Sequence, residues 1–311
     1  MAMQTSRRSF LAAAAAAPAL ATTAAAEHHQ SAPADVRYCL NMSTVRGQNL
    51  SVPQQVDLAA AAGYDGIEPW LRDLDGYAAE GGSLADLKSR IADAGLRVES
   101  GIGFAKWSVN DNAERAAGLE AMRKDMQTIA AVGGTRIAAP PIGMHTPASG
   151  TLDLDAAAER YNAVLRLGEE TGVTPQLEFW GPASNLFKLP QALYVAAAAG
   201  HPDACLLPDI YHMFRGGTSF DAVGLLAGTA VHCFHLNDYP GGRPREQYDD
   251  ADRVYPGEGV APVPAVIRSL LDSGFAGALS LELFNKHYWK RPAEEVAAKG
   301  LAAMKAAVAA A

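Results

Sequence analysis

The sequence predicts a single (β/α)₈ barrel, and three observations lead to that fold class. Apolar, strand-like runs recur eight times, amphipathic alanine-rich helical patterns lie between them, and no shift in composition divides the alternation into two domains. Runs that are apolar at nearly every position are typical of parallel strands covered on both faces by crossover helices. Eight such units favour a closed barrel over two smaller domains.

The elements can be placed in order along the chain. Strands are expected near residues 36–42, 64–70, 96–104, 135–140, 174–180, 204–210, 231–237 and 278–284. Helical patterns fall between them, for example at residues 52–62, 84–94, 113–132, 154–171 and 261–273. Several of these patterns end in glycine, which is typical of a helix C-terminus. The longest gap, residues 239–259, combines glycine, proline and charged residues after the seventh strand, and therefore predicts a functional loop.

Bulk composition excludes several classes of protein. The chain has 311 residues, of which 49% are hydrophobic and 19% charged, so it can bury a large core and is not disordered. Its net charge of -8 would repel a phosphate backbone, which argues against a nucleic-acid partner. No run is long and apolar enough to predict stable membrane insertion. The oligomeric state stays open, and a homo-oligomer is possible.

The first 26 residues differ in character from the rest. Arg7 and Arg8 precede Phe10 and Leu11, an alanine-rich apolar stretch follows, and small residues end the segment before Glu27. This pattern predicts a twin-arginine export signal and a periplasmic mature protein, the alternative being an alanine-rich N-terminal helix. Residues 27–35 are expected to form a linker, and residues 36–311 a single catalytic barrel domain. We predict buried thiols and no structural disulfide for the three cysteines, which lie in strand-like runs without CxxC spacing: Cys39, Cys205 and Cys233.

Four ionisable side chains end four different apolar strands of the second half. They are Glu178 in PQLEFW, Asp209 in CLLPDIYH, His235 in VHCFHLND and Glu282 in ALSLELF. The carboxyl ends of barrel strands converge on one face, and a charged group ending an apolar strand would otherwise be desolvated without compensation. Three carboxylates and one imidazole form a hard, mostly oxygen ligand set. The sequence therefore predicts a site for one divalent metal ion, Mn²⁺ first, with Mg²⁺ or Co²⁺ as alternatives.

The motifs LEFW, PDIYH, FHLND, DRVYPGEG and LELF, together with GYDGIE, resemble the xylose isomerase-like family of sugar isomerases and epimerases over nearly the whole chain after residue 26. The resemblance implies a TIM barrel, a sugar substrate, and the four metal ligands already named. It implies that His212 contacts substrate and is not a ligand. It also implies that Arg253 reaches the site from the long loop, with Arg243 and Arg245 as competitors for that role.

One departure from the family pattern concerns substrate orientation. Epimerases of this family often carry a further glutamate about six residues after the first metal glutamate, where this chain reads GPASN. Ser184 or Asn185 are the possible substitutes.

Aromatic residues follow several strands. Trp70, Trp107 and Trp180 could form a wall that stacks on a sugar ring, although core packing explains tryptophans at these positions equally well. Glu68 ends the second strand and is expected to bind substrate or to orient a metal ligand.

The predicted activity is that of a metal-dependent isomerase or epimerase of a keto sugar or related polyol. A divalent ion would stabilise an enediolate, with Glu178 and Glu282 as acid and base. Two alternatives stay open. One is a lyase that eliminates water or an aglycone from a 3-keto sugar, as relatives of the inosose dehydratase type eliminate water. The other is a non-catalytic periplasmic sugar-binding protein.

Overall fold

The computed structural model describes residues 36–311. The predicted export signal and linker, residues 1–35, lie outside the described residues. Eight parallel strands lie where the sequence predicted them, so the barrel prediction is confirmed. They are β1 (Arg37–Asn41), β2 (Gly66–Glu68), β3 (Arg97–Val98), β4 (Arg136–Ala139), β5 (Thr174–Glu178), β6 (Leu206–Leu207), β7 (Cys233–Leu236) and β8 (Ala278–Leu281).

The barrel closes through backbone hydrogen bonds between two groups of strands. One group has the order β3-β2-β1-β8-β7 and the other β4-β5-β6, all paired in parallel. The amide of Gly101, just after β3, donates to Arg136 O at 3.1 Å, which joins β3 to β4. The amide of His235 donates to Pro208 O at 2.9 Å, which joins β7 to β6. The carboxyl ends of all eight strands therefore open on the same face.

Helices follow the strands and cover the barrel. They are α1 (Val52–Ala62), α2 (Leu71–Ala79), α3 (Leu84–Asp93), α4 (Asn112–Ala131), α5 (Leu154–Thr171), α6 (Leu189–Ala198), α7 (Ile210–Gly216), α8 (Val263–Asp272) and α9 (Ala293–Ala309). The predicted glycine ends are confirmed for α1 and α5. Gly63 and Gly172 take φ values of 86° and 73° there, a conformation that favours glycine over residues with a Cβ.

The interior is a continuous apolar core, and the three cysteines are buried in it as free thiols. No helix within residues 36–311 is long and apolar enough to cross a membrane. The residues after Asp209 form α7, and the Asp209 side chain caps that helix by accepting a hydrogen bond from His212 N at 2.9 Å.

Candidate active site

Asp209 uses its two carboxylate oxygens for different purposes. Oδ1 caps α7, whereas Oδ2 accepts from Arg253 Nη1 at 2.6 Å and from Asn237 Nδ2 at 3.2 Å. Burial alone would raise the pKa of Asp209, but Arg253 and the neighbouring histidines overcome that effect and hold it well below its usual range. Asp209 is therefore a buried carboxylate that stays ionised.

His235 lies on β7, and its two ring nitrogens face different carboxylates. Nε2 faces Glu68 Oε2 at 3.1 Å. Nδ1 lies 3.1 Å from Glu282 Oε2 and 3.7 Å from Asp209 Oδ2, yet it is buried without a hydrogen-bond partner. Burial lowers the pKa of His235, but Glu282 and Glu68 outweigh that effect and raise it well above its usual value. Nδ1 thus points between two carboxylates, where it holds either a proton or a cation.

Glu68 lies on the Nε2 side of His235 and does not line the active-site cavity. It is fully buried, and its Oε2 accepts from Ser280 Oγ at 2.7 Å and from Asn41 Nδ2 at 2.8 Å. Burial raises its pKa, but His235 and these donors together lower it below its usual value. An ionised carboxylate on Nε2 fixes the orientation of the His235 ring. The geometry therefore supports the predicted orienting role of Glu68 and does not bring it to a position where it could contact substrate.

Asn41, at the end of β1, was missed by the sequence reasoning. Its Nδ2 donates to Glu68 Oε2 at 2.8 Å and to Glu282 Oε1 at 3.2 Å, while its Oδ1 accepts from Trp70 Nε1 at 3.0 Å. One fully buried amide thus connects the first, second and eighth strands. The available signal was a polar residue ending the apolar run YCLN, the same signal that identified the acids.

Arg253 enters the cluster from the loop between β7 and α8, as the family resemblance implied. Its Nη1 donates to Asp209 Oδ2 at 2.6 Å and to Glu282 Oε2 at 2.9 Å, and the residue is only 1% exposed. The competing arginines lie elsewhere. Arg243 pairs with Asp252 over the Tyr248 ring, and Arg245 pairs with Glu246 at the surface; neither pair reaches the cluster.

Asp238 holds this loop in place, and it too was missed. Its Oδ2 accepts from the amides of Gly257 and Gly259 at 3.0 Å each, and its Oδ1 accepts from Ala261 N at 2.9 Å. A short antiparallel bridge between Asp238 and Val254 adds two backbone hydrogen bonds directly beside Arg253. The PGEG segment is thus folded around a buried carboxylate, which sets the position of the arginine.

Glu178 and His212 face each other across the open part of the site. Glu178 Oε1 lies 3.9 Å from His212 Nε2, and that nitrogen accepts from Arg253 Nη2 at 3.3 Å. Burial, helped by the nearby Glu282 carboxylate, raises the pKa of Glu178 to about 8. Burial also lowers the pKa of His212, which therefore stays neutral. Glu178 and Asp209 are equally inaccessible, but only Asp209 has a cation bonded to it.

The cavity beside these groups has a volume of about 180 Å³ and a largely aromatic wall. Trp70 and Trp180 line it as predicted, together with Phe104 and Phe284, which were not predicted. Neighbouring rings contact one another: Trp70 lies 5.3 Å from Phe104 and 6.0 Å from Phe284, and Phe104 lies 6.3 Å from Trp180, measured between ring centroids. Phe284 could have been found from its two-residue spacing to Glu282, which predicts the same strand face.

Two sequence-based assignments do not reach the cavity. Trp107 is fully buried, donates to Pro140 O at 2.8 Å and packs on Tyr161, so it has the contacts of a core residue. Asn185 does not substitute for the missing glutamate, because its amide bonds Leu152 N, Met144 O and Gly150 O and so ties two loops together. Ser184 does not line the cavity either. Both expectations were wrong because a loop's path, unlike strand parity, is not encoded in spacing.

The donor set fits a divalent metal ion, although not all four predicted ligands come together. One ligand atom each from Asp209, His235 and Glu282 lie within 4.8 Å of one another, whereas Glu178 does not join this group. The His235 nitrogen in this group is the buried Nδ1 without a hydrogen-bond partner. Two carboxylates and one imidazole, with the other imidazole nitrogen held by a carboxylate, are the ligand chemistry of divalent metal sites.

Comparison with known proteins agrees with this fold. Residues 56–307 match the model of the xylose isomerase-like TIM barrel family, and the chain belongs to that family. An inosose isomerase of Bacillus velezensis is 25% identical over 84% of this chain and 92% of its own length. A 3-dehydroshikimate dehydratase of Pseudomonas aeruginosa is 26% identical over 81% of this chain, which spans 39% of that longer protein. The solved structure of the IOLI protein with a binding zinc atom gives a TM-score of 0.81 at 22% identity, covering 88% of this chain and 98% of that one. The relatives are thus isomerases and dehydratases.

Proposed function

We propose that this protein is a divalent-metal-dependent isomerase or epimerase of a keto sugar or related polyol. The observation that carries the proposal is the meeting of Asp209, His235 Nδ1 and Glu282 beside a cavity that Glu178 faces from the other side. The inosose isomerase relative supports the same reaction class.

The proposed metal would be held by Asp209, His235 and Glu282. Bound there, a divalent ion would withdraw electron density from a substrate carbonyl and so acidify the adjacent C–H bond. Arg253 Nη1 now bonds the same two oxygens that would bind the ion, one on Asp209 and one on Glu282. A metal held there would take the place of those two ion pairs, and its binding would release the proton that the raised pKa of His235 keeps on the ring.

Glu178 is the proposed acid–base group. A carboxyl whose pKa is raised to about 8 is poised to give and take a proton near neutral pH. Glu282 accepts hydrogen bonds from Arg253 and Asn41, and its predicted share in proton transfer stays a prediction. His212 and Arg253 line the cavity, where substrate hydroxyl groups would lie. Arg253 presents N–H donors to hydroxyl oxygens, and the aromatic wall packs on the C–H face of the sugar.

Elimination is the second candidate activity, supported by the 3-dehydroshikimate dehydratase relative. The first step is shared, since both reactions begin with removal of a proton next to a carbonyl. They differ in the next step: an isomerase or epimerase returns the proton to carbon, whereas a dehydratase expels a hydroxyl group from the adjacent carbon as water.

The test is solvent exchange measured with a substrate panel. The purified protein is loaded separately with Mn²⁺, Mg²⁺, Co²⁺ or Zn²⁺ and incubated in D₂O with an inosose, a ketohexose and 3-dehydroshikimate. NMR spectroscopy then reports carbon-bound deuterium, and mass spectrometry reports loss of water. We expect deuterium in both recovered sugar and isomerised product, and a Glu178→Gln variant that binds metal but exchanges no deuterium.

The matched control is Glu120→Gln, which removes the same charge from a side chain that is 76% exposed on α4. It should exchange deuterium as the unchanged protein does. Loss of water without deuterium in the sugar would establish the dehydratase alternative. A sugar that binds tightly but neither exchanges deuterium nor loses water with any metal would contradict both activities and leave the binding-protein alternative.

Export to the periplasm is also a proposal, and it rests only on the sequence of residues 1–26. Cell fractionation tests it directly. The unchanged chain should be recovered in the periplasm, whereas an Arg7→Lys, Arg8→Lys variant should stay in the cytoplasm. Equal recovery of the unchanged chain and the variant in the periplasm would contradict twin-arginine export.

A further inference from the structure

A second polar pocket lies at the opposite end of the barrel, where the strands begin. It has a volume of about 310 Å³. Three of the eight strands start with arginine, and all three of these residues line the pocket: Arg37 of β1, Arg97 of β3 and Arg136 of β4. Lys88 of α3 is the fourth cation in the lining. Four positive side chains therefore border one pocket in a chain whose net charge is -8.

Only one acid lines this pocket, and it is already neutralised. Glu99 is 5% exposed and binds Arg37 through both oxygens, with Nε–Oε1 at 2.6 Å and Nη2–Oε2 at 3.0 Å. Gly66, the first residue of β2, makes room for this pair, because a Cβ there would lie 2.7 Å from Glu99 Cγ. The arrangement leaves the other three cations without a carboxylate in the pocket.

Within residues 36–311, Lys88, Arg97 and Arg136 form no ion pair. Arg136 makes one long contact, from Nη1 to Thr135 Oγ1 at 3.5 Å, and its Nε is buried without a hydrogen-bond partner. The Lys88 chain runs over Gly133, where an added Cβ would lie 3.5 Å from Lys88 Cε. Burial and the charge of Arg136 lower the pKa of nearby His232 to about 4, although Asp203 acts in the opposite direction. Besides burial, the positive charge of Arg136 thus acts on the neighbouring His232.

We propose that this pocket binds a small multivalent oxyanion, of phosphate or carboxylate type, between Lys88, Arg97 and Arg136. Converging cations without counter-charges attract such anions, and arginine presents paired N–H donors to their oxygens. Catalytic groups of barrel enzymes lie at the other face, so this ligand would act on stability or regulation and not on the reaction. The inference does not depend on the proposed activity.

The experiment is calorimetric titration of the full chain at low ionic strength with two probes, pyrophosphate and tricarballylate. Binding of either probe supports the proposal, and their relative affinity distinguishes a phosphate from a carboxylate ligand. The decisive variant is Lys88→Gln, Arg97→Gln. Both side chains are exposed and unpaired, so their removal should leave folding intact while weakening the affinity at least about tenfold. Added NaCl should weaken binding to the unchanged chain.

The matched control is Arg166→Gln on α5, an exposed arginine whose one hydrogen bond goes to Asn162. It should bind both probes as the unchanged chain does. Thermal unfolding gives a second reading, since a ligand of the folded state raises the melting temperature by an amount that grows with the logarithm of its concentration relative to Kd. The proposal is overturned if neither probe binds, or if the double variant and the unchanged chain bind equally, which would place the anion elsewhere, for example on a bound metal.

Discussion

The two halves of the barrel contribute different chemistry to one cavity. Strands β1–β4 and the residues after them supply an apolar wall, Trp70, Ile102 and Phe104, and their one acid near the site, Glu68, lies behind it. Strands β5–β8 and their loops supply the ionisable groups, which are Glu178, Asp209, His212, His235, Arg253 and Glu282, and they add Trp180 and Phe284 to the aromatic wall. Substrate would thus lie between an apolar surface that packs against it and a surface of ionisable groups that transfer protons.

One shielded acid from each half shows what separates them, since Asp209 is fully buried and Asp125 is half-buried. Asp209, in the ionisable half, has a bonded arginine, and its pKa lies well below the usual range. Asp125, on α4 in the apolar half, has no bonded cation, and burial with the nearby Asp75 raises its pKa to about 6. Burial raises the pKa of both carboxyls, so a bonded cation decides whether the net shift is downward or upward. Either half can therefore be tested by replacing a residue that pairs with an acid or by replacing an unpaired acid.

The largest expected effect follows from replacing Arg253 with leucine. This change leaves the buried carboxylates of Asp209 and Glu282 without their cation, and breaking such a pair typically destabilises a fold by about 3–5 kcal/mol. Urea unfolding of metal-free protein measures the loss. A divalent ion should restore part of it, because it supplies the missing charge.

Arg243→Leu is the control for Arg253, because it lies in the same loop and pairs with Asp252 near the surface. Its side chain is 41% exposed, so the change should cost far less stability than Arg253→Leu. If the two variants lose equal stability, or if metal restores both equally, Arg253 is not the cation that balances the cluster.

Glu68→Gln should come next in size. The variant keeps the shape of the side chain but removes the charge that orients His235 through Nε2, and such changes weaken metal affinity about 10- to 100-fold. Metal titration by calorimetry measures this effect. Glu99→Gln, another buried glutamate at the opposite end of the barrel, should reduce stability and leave metal affinity unchanged. Equal metal affinity in the Glu68 variant and the unchanged protein would contradict an orienting role.

The sequence predicted more of the ionisable half than of the apolar half, for a physical reason. An acid that ends an apolar strand stands out, and strand ends converge in a barrel, so Glu178, Asp209, His235 and Glu282 were placed on one face. Even there, the closer grouping of three, with Glu178 apart, depends on side-chain rotamers. Aromatic residues give no such signal, because tryptophan after a strand serves core or cavity equally well; Trp107 and Trp70 show the two outcomes.

The loops, and the polar residues that hold the site's side chains in place, were least predictable. Asn41, Ser280 and Asp238 are short polar residues whose roles arise from partners far apart in the chain, for example 212 residues between Ser280 and Glu68. The path of residues 239–259 depends on Asp238 accepting several amides at once, which spacing alone does not reveal. Arg253 was named through family resemblance, and its residue type alone would not have separated it from Arg243.

A smaller effect is expected from Asp125→Asn in the apolar half. The folded-state pKa of Asp125, about 6, exceeds the unfolded value of about 3.9, so the folded state binds its proton more tightly. The fold is therefore more stable below about pH 4, loses stability as pH rises from 4 to 6, and loses nothing further above that range. Asparagine removes this loss, and should stabilise the protein by about 1–2 kcal/mol at neutral pH, a value already reduced because the group is partly exposed.

Urea unfolding at pH values on either side of this range measures the change for Asp125→Asn. Its Oδ2 lies against Gly103, so an amide of the same size should fit there. Asp272→Asn, at the exposed end of α8, removes the same charge and should give no comparable gain at neutral pH. A stability difference that is constant from acid to neutral pH would show that packing, and not ionisation, distinguishes the Asp125 variant.

The smallest effect should come from the aromatic wall itself. Phe104 is 41% exposed, lines the cavity and contacts both Trp70 and Trp180, so Phe104→Ala should remove one stacking surface without disturbing the charged cluster. We expect sugar affinity to fall by about 0.5–1.5 kcal/mol, roughly two- to tenfold, with metal affinity unchanged. Leu225→Ala, a 78% exposed apolar residue outside the cavity, is the control. If the Phe104 variant changed metal affinity, or left sugar affinity unchanged, the division of the cavity into an apolar packing surface and a surface of ionisable groups would be contradicted.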